Sequence, residues 1–162
     1  MKFNRLSMIM AAAMALAACS QTPAETSLKD AYADSFMIGC AVNPSHTSGR
    51  LEQANELLLT HFNAISPENC LKPEAVQPRP GVWTFEEADE YVRFGEEHDM
   101  WMLGHTLVWH NQTPSFYWEN KDGSPKTREE LIETMRQHIE TVAGRYAGRI
   151  DAWDVVNEII GE

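Results

Sequence analysis

Ala152-Trp153-Asp154-Val155-Val156-Asn157-Glu158 is an apolar run that ends in a side-chain amide and a carboxylate. A near-continuous apolar run fits a strand of a sheet covered on both faces. Three earlier runs have the same shape: Phe36–Val42, Phe62–Ser66 and Trp101–Trp109. Each carries its unusual residues at the C-terminal end. The second run leads into Glu68-Asn69, with Lys72 just beyond. The third carries His105 and Trp109, and continues into His110 and Gln112. The fourth, predicted over Ile150–Val156, ends in Asn157 and Glu158.

Between the strands the spacing predicts three helices. Ser48 can cap a helix to about His61, with Leu51, Ala54, Leu57 and Leu58 on one face. Thr84 and Glu87 have capping-box spacing and open a helix to about His98. Thr127 and Glu130 form a second box. They open a long helix on which Leu131, Met135, Ile139, Val142 and Tyr146 recur at spacings of three and four. The Pro-rich segment Pro67–Gly81 is long for a loop in a compact domain, and such loops are usually functional.

Strands that alternate with helices pair in parallel through right-handed crossovers. An open doubly wound sheet and a barrel both satisfy this. Polar residues that gather at every strand's C-terminal end favour the (β/α)₈ barrel, whose active sites stand on that rim. Open sheets bind mostly in one crevice at a switch point. Neither Gly-rich phosphate signature is present. The expected fold is therefore α/β, a (β/α)₈ TIM barrel of which about the first four strands and three helices are present. Residues 28–162 form this barrel portion.

The N-terminus has a different composition. Lys2 and Arg5 precede an apolar run, Leu6 to Leu16, too short for a bilayer span of roughly 20 residues. It reads as a secretory signal. Leu16-Ala17-Ala18-Cys19 resembles the lipobox of bacterial lipoproteins, in which the Cys carries the lipid. The expectation is a signal over 1–19, a polar tether over 20–27, and an exported lipoprotein on the outer membrane or cell surface. The other cysteines, Cys40 and Cys70, sit at edges of apolar runs and read as buried free thiols. The net charge of -11 disfavours a nucleic-acid partner, which needs a basic face.

A carboxylic acid at a pocket mouth can protonate a leaving-group oxygen. Glycoside hydrolysis needs such an acid and a second carboxylate across the scissile bond. Glu158 suits the first role, and Asn157 beside it can donate to a sugar hydroxyl. Five Trp residues are dense for 162 residues, and indole faces stack on sugar rings. Trp101 and Trp153 read as core, and Trp109 as a site residue. Glu68, Asn69 and Lys72 offer an acceptor, a mixed group and a charged donor, a set suited to a polyhydroxylated ligand. His105 and Asp154 are polar groups inside apolar strands, and buried charge needs a partner. They are expected in one hydrogen-bond network on the inner barrel wall. A zinc site at His105, His110 and Glu158 lacks H-E-x-x-H, so no metal is expected.

Gly104-His105-Thr106-Leu107-Val108-Trp109-His110-Asn111-Gln112-Thr113-Pro114 looks like the G-H-T-L-x-W-H-x-Q-x-P signature of family 10 glycoside hydrolases, the endo-1,4-β-xylanases. Glu68-Asn69-Cys70-Leu71-Lys72 resembles that family's E-N-x-x-K. Gly81-Val82-Trp83-Thr84-Phe85 with Ala88-Asp89 fits the segment that follows. Trp153 to Glu158 matches W-D-V-V-N-E. The resemblance covers roughly Leu28 to Glu162. It implies a barrel that cleaves internal β-1,4 bonds of xylan with retention and without cofactor or metal. Glu158 would be the general acid/base. Asn157, Lys72, His105 and Trp109 would line the subsite beside the cleaved bond, and Glu68, Asn69 and Gln112 would hold the next sugar on the non-reducing side.

The nucleophile should follow in a segment resembling T-E-L-D, which these 162 residues do not contain. A fragment, a broken gene and a barrel interrupted by a missing insertion each account for that. The expectation is that the chain alone is poorly stable and inactive on xylan. A non-catalytic glycan-binding lipoprotein and a sister barrel glycosidase for another β-glycan are the competing readings.

Overall fold

The computed structural model describes residues 26–160. The signal run, lipobox Cys19 and most of the tether therefore lie outside the described residues. Ser27, assigned above to the tether, is buried and caps the first short helix, α1 (Leu28–Ala31), by accepting from the Asp30 amide.

Four strands follow: β1 (Gly39–Val42), β2 (Ala64–Pro67), β3 (Trp101–Val108) and β4 (Ala152–Val156). They form one parallel sheet in the order β1-β2-β3-β4. Spatial order equals chain order, without the reversal that creates a switch point in an open sheet. With right-handed crossovers, such a sheet keeps all its helices on one face, as a barrel requires.

The crossovers carry α2 (Pro44–Thr47) and α3 (Glu52–His61), then α4 (Pro73–Val76) and α5 (Glu86–Glu97), then a 3₁₀ turn (Ser115–Tyr117) and α6 (Arg128–Arg145). The helix-side core joins Val42, Ile65 and Met102 of the strands to Leu58, Tyr91, Val92, Val142 and Tyr146 of the crossovers. The opposite, concave face holds Gly39, Ala41, Ala64, Ser66, Trp101 and Leu103 around about 310 Å³ of open space. Period-2 alternation along β3 divides Met102 from Trp101 and Leu103.

Several elements differ from expectation. β1, β2 and β4 begin two or three residues late, whereas β3 begins at Trp101 as expected. Phe36 and Met37 are about half exposed, and Phe36 stacks on Tyr32 instead of joining β1. Ser48 caps the C-terminus of α2, whose N-cap Asn43 precedes a Pro at the first helical position. The next helix, α3, starts at Glu52 and buries Leu58, whereas Leu57 is 59% exposed. The Thr127–Glu130 capping box is present. The Thr84–Glu87 box is not: the Thr84 hydroxyl donates to the Ala75 carbonyl, so α5 has no side-chain cap. Trp153 packs against the helix-side core, but Trp101 turns to the concave face. Both Cys40 and Cys70 are free thiols, Cys70 buried and Cys40 half-buried.

Candidate active site

Every strand delivers polar groups to the C-terminal rim. After β2, the Glu68 amide donates to the Val42 carbonyl at 2.8 Å. This ties the β2 exit to the end of β1, and there the Asn43 Nδ2 donates to Glu68 Oε2 at 3.2 Å. One turn later Lys72 is buried, its Nζ 2.9 Å from Asn69 Oδ1 and 2.6 Å from Gln112 Oε1. Its ammonium also stands 4.9 Å from the Trp109 ring centroid, in cation–π range.

The hydrogen-bond inventory shows which valences remain for a ligand. Gln112 Nε2 donates to Asn69 Oδ1 at 3.1 Å and to Glu74 Oε1 at 3.3 Å, while its Oε1 accepts from Lys72. Gln112 thereby braces Asn69 and Lys72 while its Oε1 keeps a second lone pair. Among the described residues Asn69 uses its oxygen twice and its NH₂ has no acceptor, Lys72 uses two of three N–H donors, and Glu68 Oε1 has no partner. The unspent set is an acceptor, a neutral donor and a charged donor.

Glu158 carries the β4 end of the rim. Trp109 Nε1 donates to its Oε2 at 2.7 Å, and His110 Nε2 lies 3.7 Å from the same oxygen. Among the described residues its Oε1 has no hydrogen-bond partner. Gln112 and Glu158 both have left-handed backbone conformations, φ +45° and +51°. Non-glycine residues held there concentrate at functional sites. Asn157 is half-buried. Its amide N–H donates to Val108 O at 2.9 Å, and its side chain has no hydrogen bond among the described residues.

On the inner wall, His105 Nδ1 and Asp154 Oδ2 are 2.9 Å apart, in the network expected of them. The register makes this direct, because His105 pairs with Asp154 across β3 and β4. Thr106 Oγ1 donates to the Asp154 carbonyl at 2.8 Å where the register shifts. Among the described residues no three His, Cys, Asp or Glu side chains converge to hold a metal.

Behind Trp109, between β3 and α6, lies an apolar cavity of about 420 Å³ lined by Leu107, Tyr117, Leu131, Met135 and His138. Burial pushes the His138 imidazole down to about 4. The sequence reading missed two rim residues, Asn43 and Glu74. Asn43 had a signal in the Asn-Pro pair that ends an apolar run. Glu74 had none, since only the fold brings it to Gln112.

A sequentially ordered parallel sheet with its polar groups on the C-terminal rim defines the class: a (β/α)₈-barrel enzyme scaffold, present here in part. The chain belongs to glycosyl hydrolase family 10, whose model matches residues 27–162. It is 47% identical over 134 residues to endo-1,4-beta-xylanase B of Paenibacillus barcinonensis, covering 83% of this chain and 39% of that protein. An endoxylanase structure retrieved from a sugarcane soil metagenome superposes with a TM-score of 0.80 at 45% identity, over 85% of this chain and 41% of that one. A mutant structure in complex with xylotriose superposes at 0.78 with 37% identity, over 84% of this chain and 40% of its own. The chain thus spans about two fifths of the length of these relatives.

Proposed function

We propose that this chain supplies the acid/base side of a retaining endo-1,4-β-xylanase. The observation that carries the reading is Glu158, with Oε2 held by the Trp109 indole and Oε1 without a partner among the described residues. In this reading the neutral Glu158 carboxyl gives its proton to the glycosidic oxygen as the C–O bond breaks. A second carboxylate, from a β/α unit beyond those described and about 5–5.5 Å from the Glu158 carboxyl, attacks the anomeric carbon. Glu158, now ionised, takes a proton from the water that releases the glycosyl-enzyme. Glu68, Asn69 and Lys72 bind sugar hydroxyls through their unspent valences, and Asn157 and His105 line the subsite beside the bond. Xylan is the favoured substrate because the relatives are named endo-1,4-beta-xylanases and one neighbour holds xylotriose.

The test compares xylan with cellulose as substrates for the enzyme with its barrel complete, wild type and Glu158→Gln. Xylan cleavage is expected to fall about 10²–10⁴-fold in the variant. An aryl glycoside whose leaving group needs no proton should lose far less in its first step. Equal losses on both substrates would remove Glu158 from the acid role, and a preference for cellulose would remove xylan. The lipobox supports export with Cys19 as the lipid carrier, and the mass of the mature N-terminus decides that.

A further inference from the structure

We infer that Asn43, at the C-terminal end of β1, is a positioning residue that fixes the Glu68 carboxylate and so sets the grip on the sugar one removed from the cleaved bond. The inference rests on the reading of Glu68 as a sugar ligand.

The Asn43 side chain has two jobs, and the first determines the second. Its Oδ1 accepts from the Ser45 amide at 3.0 Å, capping α2. A backbone N–H can only donate, so the oxygen must face Ser45 and the NH₂ must turn the other way. That direction leads to Glu68 Oε2, 3.2 Å away. His46 Nδ1 accepts from the Asn43 backbone N–H at 3.3 Å and closes the capping box from the helix side. No Lys or Arg forms an ion pair with Glu68 among the described residues. The Asn43 amide is its one side-chain hydrogen-bond donor there, and it leaves Oε1 for a hydroxyl. Removing the donor frees the carboxylate to rotate, and the ligand must then order it at binding.

Asn43→Asp separates positioning from folding. Asp caps helices as well as Asn, so α2 keeps its Ser45 bond. The variant loses the donor and sets a like charge against Glu68. The complete enzyme is assayed on an aryl β-xyloside, which fills only the subsite beside the bond, and on an aryl β-xylobioside, which reaches Glu68. Asn43→Asp is expected to lower kcat/KM on the xylobioside about tenfold more than on the xyloside, the size of one lost charge-assisted hydrogen bond. Asn43→Ser, which can still cap, gives a smaller loss with the same substrate pattern. In a Glu68→Gln background, whose amide can donate to the new carboxylate, the Asn43→Asp penalty on the xylobioside disappears.

Equal losses on the two substrates, or an undiminished penalty beside Glu68→Gln, would overturn the inference while leaving the xylanase reading intact. A wild-type enzyme inert on both substrates overturns both.

Discussion

Glu158 meets the Trp109 indole at 2.7 Å only because β3 and β4 are neighbours that end at the same height. Both residues were legible as site candidates, since a carboxylate and an indole at the ends of apolar runs cost folding energy unless they do something else. The free valences were not legible. Gln112 reads like a sugar ligand in sequence, and the fold adds contacts from its amide to Asn69, Glu74 and Lys72 that no spacing announces. Cys70 shows burial acting on one residue's chemistry. Burial first, then the Glu87 carboxylate, push its thiol up to about 12. At pH 8 that leaves roughly one molecule in ten thousand as reactive thiolate. A thiol reagent at pH 8 should therefore modify the half-buried Cys40 well before Cys70, which should react only on unfolding. Equal native-state rates for the two thiols would contradict this.

Capping chemistry shows what an element's sequence can and cannot specify. Thr127 and Glu130 close their box, and among the described residues the Thr127 hydroxyl bonds only to Glu130. Thr84 has the same spacing to Glu87, but the returning Pro-rich segment offers it the Ala75 carbonyl. Glycines are also constrained where strand meets strand and where a crossover helix meets the sheet. A Cβ at Gly104 would lie 2.5 Å from Cδ2 of the rigid Trp153 ring. A Cβ at Gly95 would overlap Sδ of the flexible Met102 side chain and lie 2.7 Å from its Cγ. Gly104→Ala should therefore cost about 1–3 kcal/mol by overpacking. At Gly95→Ala, adjustment of Met102 and a helix-propensity gain of up to about 1 kcal/mol nearly offset the crowding. Urea midpoints that rank the two variants the other way would refute this account of β3 packing.

At the scale of the whole molecule, α5 is joined to α6 and to the turn after it by bidentate pairs, Arg145 on Asp89 and Arg149 on Glu96. These pairs are partly exposed and worth little each. The buried group with a larger effect is His138 of α6. Its Nδ1 contacts the Tyr117 hydroxyl at 2.5 Å, Tyr117 donates to Gln77 at 2.8 Å, and the ring faces Trp83. Because burial depresses its pKa to about 4 from 6.5, the unfolded chain takes up this proton first as pH falls. Stability from this group is intact above pH 6.5, declines between 6.5 and 4, and is lost in full below 4. The total is roughly 3 kcal/mol. His138→Gln should flatten that part of the stability–pH curve, measured by denaturant melts. An unchanged slope between pH 6.5 and 4 would assign the loss elsewhere.

The strand–helix alternation, the parallel sheet and the rim residues Glu68, Asn69, Lys72, Trp109, Asn157 and Glu158 follow from sequence alone, because burial imposes a local pattern and polar residues that interrupt it stand out. Strand starts, the fate of Thr84 and Ser48, the bracing role of Gln112 and the Asn43–Glu68 contact were decided by tertiary structure. Each depends on which donor or apolar surface a distant segment brings within about 3–4 Å, and that distance is set by register and crossover packing, which no local spacing encodes.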